Sequence, residues 1–366
     1  MIARMINKMK YFLLFAIAAI LTGSCHNSSS TDQDSISISP EAGATLKSGK
    51  TLAIQVHYPA SIKTDSVIYL IDSVKVGGYK DSTVLYLKTD SMTLGPRVLT
   101  AKIYHGAKKD EVTTNIVILP AKAPDAYTFK VIKVFPHDTS CYTEGLLYQD
   151  GFLYESGGGQ SKPPAGEEAL GQSSLRKVEL NTGTVVKKTM VDPRVFAEGI
   201  SIIGDKIIQL TWKEHIGYQY EKSTLKLQKT FINNVGVEGW GLCFDGQKLY
   251  MDDSTNRIWF LNKDTYLQMG FIDVYDDKGA VTSINELEFI NGKIYANVWQ
   301  TNNILVIDPK TGAVLQKIDL TGLYPQANRT ANADVLNGIA YDAKDDRIFV
   351  TGKKWPNLYQ VAFIAK

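Results

Sequence analysis

Thr143-Glu144-Gly145-Leu146 opens a phrase that runs through Leu147 and Tyr148 to the turn Asp150-Gly151 and returns as Phe152-Leu153-Tyr154. Two short apolar runs on either side of a turn dipeptide predict an antiparallel hairpin. The phrase recurs at Glu198, Glu238, Glu286 and Asn337, where an acidic or amide residue again precedes a small or apolar one. The matching turns are Gly204-Asp205, Asp245-Gly246, Asn291-Gly292 and Asp345-Asp346, and the third of these is the strongest hairpin signal.

Most units carry a further pair of strands, marked by turns at Asn181-Thr182-Gly183, Glu221-Lys222-Ser223, Asn262-Lys263-Asp264 and Pro309-Lys310-Thr311-Gly312. About four strands per unit of roughly 40 to 54 residues is the size of one propeller blade. The stretch 126–366 is therefore expected to be a five-bladed β-propeller in an all-β chain. The strand around Thr128 to Phe135 and the closing run Leu358 to Phe363 are expected to share a blade, which would remove exposed sheet edges. No long segment of helical period interrupts this pattern, which argues against an α/β fold. Gly157 to Leu170, rich in Gly and then in Pro and Glu, is expected to be a loop at a blade rim.

Before the repeat, runs such as Thr51 to His57, Ser66 to Ile71, Val98 to Tyr104 and Val112 to Leu119 are rich in Val, Ile, Thr and Tyr and are punctuated by Gly49, Gly77, Gly95 and Gly106. They predict a small Ig-like β-sandwich over 36–123, with a boundary at Ala123 to Ala126 after a proline-containing exit. At the start, Arg4, Lys8 and Lys10 precede an apolar run from Tyr11 to Leu21 that is too short to span a bilayer, followed by small residues up to Cys25. This order predicts a lipoprotein-type signal over 1–24 and lipidation of Cys25. Residues 25–35 would then be a polar tether, and the mature protein would be anchored in a membrane and face the periplasm or cell surface.

The chain has 366 residues and a net charge of +2, with Lys and Arg nearly balanced by Asp and Glu. That balance gives no footprint for nucleic acid. Cys141 and Cys243 are the cysteines left after Cys25, and two small buried thiols are expected rather than a disulfide.

In a propeller the opening residue of each phrase lies near one mouth of the central channel. Glu144, Glu198, Glu238, Glu286 and Asn337 are therefore expected to gather around one axis. Four carboxylates sharing a partly dry channel cannot all ionise freely, so at least one should have a raised pKa and be fit for proton transfer near neutral pH. For any single Glu, capping of backbone amides is the competing role. Trp212, Trp240, Trp299 and Trp355 stand at comparable places in their units and could either wall a pocket or pack between blades.

Several motifs occur in order along the chain: Tyr142-Thr143-Glu144-Gly145-Leu146, Gly171-Gln172-Ser173-Ser174-Leu175-Arg176, Gln209-Leu210-Thr211-Trp212-Lys213, Glu238-Gly239-Trp240-Gly241, Asn285-Glu286-Leu287-Glu288, Ala296-Asn297-Val298-Trp299, Leu336-Asn337-Gly338 and Thr351-Gly352-Lys353. In this arrangement the chain resembles the plant-type glutaminyl-peptide cyclotransferases. The resemblance implies conversion of N-terminal Gln to pyroglutamate with release of ammonia, and it implies Glu144 as the catalytic acid and base. Asn297, Trp212, Trp240, Trp299, Arg176, Gln172, Lys213, Glu238 and Glu286 are the implied substrate-binding residues. It implies no required cofactor, and no His cluster of zinc-ligand spacing is present, although a structural divalent cation held by the channel carboxylates is compatible with the pattern. Two other readings stay open at this point: a metal-dependent lactonase-like propeller, and a non-catalytic peptide-binding propeller.

Overall fold

The computed structural model describes residues 35–366, so the expected signal, Cys25 and nearly all of the tether lie outside the described residues. The described chain is all-β, with a single short 3-10 turn at Gln326–Asn328. Its first part forms two sheets. Ser37–Ser39, Thr51–His57 and Leu85–Lys88 make one, and Ala44–Lys47, Lys108–Leu119, Gly95–His105, Ser66–Ile71 and Val74–Tyr79 make the other. The alternation in the sequence decides the faces: Leu52, Ile54 and Val56 of the first sheet and Val67, Tyr69, Leu99, Ala101 and Ile103 of the second share one buried core, while the residues between them are half-buried or exposed.

From Thr143 onward the chain forms successive antiparallel four-stranded units. The first comprises Thr143–Gln149, Phe152–Gly157, Ser174–Glu179 and Val185–Met190, and the second begins at Ala197–Ile203. The third begins at Leu242–Phe244, the fourth at Ile284–Ile290 and the fifth at Leu336–Asp342. The fifth is completed by Asp125–Pro136, which pairs antiparallel with the last strand, Asn357–Ala365. The two ends of this region therefore share one sheet, as the sequence suggests. Asp125–Pro136 also pairs in parallel with Val314–Asp319, joining the fourth and fifth units into one eight-stranded sheet. The opening strands of the five units neighbour one another in cyclic order, the fifth returning to the first. Asp150-Gly151 and Asn291-Gly292 take the left-handed conformation at both residues, as a type I′ hairpin needs, with φ of 48° at Asn291 and 78° at Gly292, whereas the other three turns take it only at Gly204, Gly246 and Asp346.

Pairing fixes how the units superpose. Leu146 faces Glu155, Ile200 faces Gln209, Leu242 faces Met251, Leu287 faces Ala296 and Ile339 faces Val350. Two residues before these apolar positions stand Glu144, Glu198, Trp240, Asn285 and Asn337, and one residue before stand Gly145, Gly199, Gly241, Glu286 and Gly338. This corrects the register expected from sequence, which aligned Glu238 and Glu286 with Glu144. The opening strands of the first, second, fourth and fifth units each carry an irregularity at these positions. Such bulges slide the sequence relative to the pleat and turn side chains toward the channel. Glycine recurs because neighbouring units approach closely there: a Cβ on Gly199 would lie 2.4 Å from the Trp240 carbonyl oxygen.

The two-sheet part and the cyclic part meet through Tyr275. Its ring is buried within the core of the two sheets, against Gly95 and with Ala313 packed beside it. Tyr275→Ala is expected to cost about 3 kcal/mol, the usual penalty for emptying a buried aromatic site. A denaturant titration of full-length protein checks this, and an unchanged midpoint would show that the ring does not complete that core.

Candidate active site

Only two of the four expected carboxylates stand together at the channel mouth. Glu144, on the bulge of its strand, is 2% exposed. Lys353 Nζ donates to Glu144 Oε1 at 2.7 Å and lies equally close to Oε2, while Asn337 Nδ2 donates to Oε2 at 3.2 Å. Burial pushes the Glu144 carboxyl up to about 7, opposed by the Lys353 ammonium. Glu198 is also buried, and it is raised well above the ordinary range by burial and then by the negative charge of Glu144. The two carboxyls thus differ: Glu144 is poised near neutrality by its cation, and Glu198 is driven toward its protonated form by burial and by the Glu144 charge.

Aromatic rings enclose this pair. A cavity of about 140 Å³ is lined by Tyr142, Glu144, Leu170, Phe196, Glu198, Trp212, Trp240, Asn285, Trp299 and Lys353. Phe196 meets Trp212 edge to face at 5.7 Å between centroids, and Trp240 meets Trp299 likewise at 5.8 Å. Glu238 stands behind two of the rings and accepts both indole N–H groups, from Trp212 and Trp240, each at 2.8 Å. It orients the walls without facing the cavity. Gly158 allows the Phe196 ring and the Glu144 side chain to close in, since a Cβ there would lie 2.4 Å from the ring and 2.9 Å from Glu144 Cγ.

The other candidates divide by position. Trp212, Trp240 and Trp299 line the cavity, whereas Trp355 is buried in a core cluster and donates to the Asp334 carbonyl. Asn297 is buried in the channel wall, where its Oδ1 accepts the Gly338 N–H at 3.0 Å and its Nδ2 has no protein partner. Glu286 reaches across the channel: its two oxygens accept the backbone N–H groups of Leu146, at 3.2 Å, and Ile339, at 2.8 Å. Having no small residue at that position, the fourth unit fills the channel with a structural brace, and burial pushes its carboxyl up to about 8. Arg176 and Gln172 do not line the cavity. Arg176 binds Asp138, Ser140 and Ser174, and Gln172 donates to the Val191 carbonyl. Lys213 is exposed and lies over the outer face of Trp212, 3.5 Å from its centroid.

Sequence reasoning missed Lys353, Tyr142, Phe196, Asn285 and Leu170. Leu170 closes the Gly157 to Leu170 loop through its N–H to the Gln160 carbonyl, so that segment supplies part of the cavity wall. Tyr142 donates its hydroxyl to Asp334 at 2.7 Å and presents its ring to the Lys353 ammonium. The usable signal was a lysine directly after Thr351-Gly352, because a lysine buried at that depth needs a carboxylate. Among the described residues, Glu198 Oε2 and Asn285 Oδ1 of the cavity-lining side chains, and Asn337 Oδ1 behind them, are buried without a protein partner. Also among the described residues, no group of three or more His, Cys, Asp or Glu side chains converges to hold a metal ion. Cys141 and Cys243 are buried and unpaired.

Replacing Lys353 with Met removes the group that holds the Glu144 proton affinity down while leaving its burial intact. Glu144 is therefore expected to titrate above about 7 in that variant. Carboxyl ¹³C NMR across a pH series checks the direction, and a midpoint that stays or falls would contradict the assigned pairing.

Comparison with known proteins gives the family. The family model for glutamine cyclotransferase matches residues 98–363. A glutaminyl-peptide cyclotransferase from Arabidopsis thaliana is 38% identical over 237 residues, which span 63% of this chain and 70% of that protein. The crystal structure of Myxococcus xanthus glutaminyl cyclase superposes with a TM-score of 0.59 at 32% identity, covering 66% of this chain and 99% of that one. With its motifs, its strand pattern and the matched span all in agreement, the chain belongs to the glutamine cyclotransferase family.

Proposed function

We propose that this protein cyclises the N-terminal glutamine of peptides or proteins to pyroglutamate and releases ammonia. The observation that carries the reading is the Glu144–Lys353 pair: a buried carboxyl poised near 7, at the floor of an aromatic cavity the size of one side chain. Family membership supports the same chemistry.

The neutral α-amine attacks its own γ-carbonyl carbon and forms the ring C–N bond, so the enzyme has only to fold the substrate and manage charge. Glu144 takes the proton released by the amine. The oxyanion that develops on the carbonyl is held by a hydrogen-bond donor already in place, for which the Lys353 ammonium at the cavity wall is the candidate. Collapse breaks the bond to the side-chain nitrogen, Glu144 returns the proton to it, and ammonia leaves. No water is consumed and no covalent enzyme intermediate forms. Trp212, Trp240 and Trp299 exclude water from this step. Asn297 acts from the wall behind the cavity, because its carbonyl oxygen is already committed to Gly338.

We read the five cyclic units over 126–366 as the blades of a five-bladed β-propeller that carries the activity, and residues 36–123 as an Ig-like sandwich. The ring of neighbouring opening strands supports the first reading, and the two facing sheets with one core support the second. We also take no cofactor to be required. Export as a membrane-anchored lipoprotein through Cys25 rests on the basic, apolar and small-residue order before it. Metabolic labelling with a fatty acid is expected to mark the wild-type protein and not Cys25→Ser, and equal labelling of both would refute the anchor.

A peptide beginning with Gln, incubated with the protein, is expected to lose ammonia at a rate that an added chelator does not change. Glu144→Gln is expected to reduce turnover by at least about 100-fold, the weight of a positioned proton-transfer group. The wild-type rate should fall as pH drops below about 7, because protonated Glu144 no longer accepts the amine proton. Turnover abolished by chelator would favour metal-dependent hydrolysis, and full activity in the variant would remove Glu144 from the chemistry.

A further inference from the structure

Behind the cavity lies a second polar cluster that the reaction does not use. His137 is buried, with Nδ1 2.7 Å from the Trp355 carbonyl oxygen and Nε2 2.8 Å from Glu155 Oε1. The same Glu155 oxygen accepts the Thr143 hydroxyl at 2.7 Å, and Thr143 directly precedes Glu144. His137 also donates its backbone N–H to Pro356, while the Lys354 N–H reaches the Cys141 carbonyl. One end of the cluster therefore grips the bulge that carries Glu144, and the other grips the turn Lys353–Pro356 that carries Lys353.

We propose that Thr143, Glu155 and His137 are positioning residues that set the distance between the Glu144 carboxylate and the Lys353 ammonium. The proposal rests on the cyclotransferase reading for its catalytic consequence, though not for its geometry. A carbonyl oxygen only accepts, so His137 Nδ1 carries a hydrogen. With the Glu155 carboxylate on Nε2, the ring donates from both nitrogens as an imidazolium. Burial alone would favour neutral forms of both groups, yet their pairing holds Glu155 below its ordinary range and His137 above its own. The other charged or titratable groups facing the pair are Asp138 and Arg176, which bind each other at 2.9 Å, and the Cys141 thiol. A buried ion pair contributes little net stability compared with apolar packing of the same volume. Stability therefore does not account for this cluster, and its two attachment points do.

The test compares Thr143→Val, which removes the hydroxyl, with Thr143→Ser, which keeps it. On a Gln peptide, Thr143→Val is expected to lower kcat about tenfold with KM changed by less than about twofold, and Thr143→Ser to stay near wild type. In carboxyl ¹³C NMR the Glu144 midpoint should rise in Thr143→Val and not in Thr143→Ser. An unchanged kcat and midpoint in Thr143→Val, or equal losses in both variants, would overturn the proposal. If the wild type turns over no Gln peptide, the cyclotransferase reading falls, while the NMR comparison still decides the positioning role. If Thr143→Val does not fold, Glu155→Gln replaces it: the same rise in the Glu144 midpoint supports the proposal, and an unmoved midpoint overturns it.

Discussion

Antiparallel pairing between Asp125–Pro136 and Asn357–Ala365 is the constraint on which the rest of the structure depends. It joins the beginning of the cyclic region to its end, so that the fifth unit comes round beside the first and the opening strands surround one axis. The closure brings together residues 193 and 209 positions apart: Asn337 and Lys353 from the fifth unit meet Glu144 from the first. Without it the carboxylate would lack its cation and would sit at an open sheet edge.

A channel made of opening strands is crowded, and its residues sort by size. Where the chain places glycine, as at Gly199, two units touch backbone to backbone. Where the fourth unit places Glu286 instead, the side chain spans the channel and satisfies amides of the first and fifth units. Polar groups in such a place are costly unless bonded. The structure answers that cost differently at each level. Glu286 is bonded to backbone, Glu144 to Lys353 and Asn337, and Glu198 is driven toward its neutral form by burial and the Glu144 charge. The gradient from a braced carboxyl to one poised by a cation to one pushed toward its neutral form, rather than any one residue, makes the mouth suited to moving protons.

The aromatic walls are held as deliberately as the charges. Glu238 accepts two indole N–H groups at once, which fixes the planes of Trp212 and Trp240, and the edge-to-face contacts carry that order to Phe196 and Trp299. Rigid rings around a small cavity orient a flexible side chain at low entropic cost. Trp299, 40% exposed, forms the outer rim, where the rest of a peptide would leave.

The sequence by itself determined the all-β class, the repeat and the hairpin turns at Asn291-Gly292 and its counterparts, because period-two alternation and turn chemistry are local properties, and it singled out Glu144, Trp212, Trp240 and Trp299, which line one cavity. It did not determine which opening residues share the channel. Glu238 and Glu286 look equivalent to Glu144 along the chain, yet the strand register places Trp240 and Asn285 there, helped in the fourth unit by a bulge, since one added residue reverses the face a side chain occupies. Lys353 was equally hidden: its partner is far away in sequence, and only ring closure brings them within 2.7 Å. Arg176 and Gln172, which the motifs place among substrate-binding groups, are committed to neighbours outside the cavity. Local pattern sets the elements, and the offset between them, set by bulges and closure, decides which side chains meet.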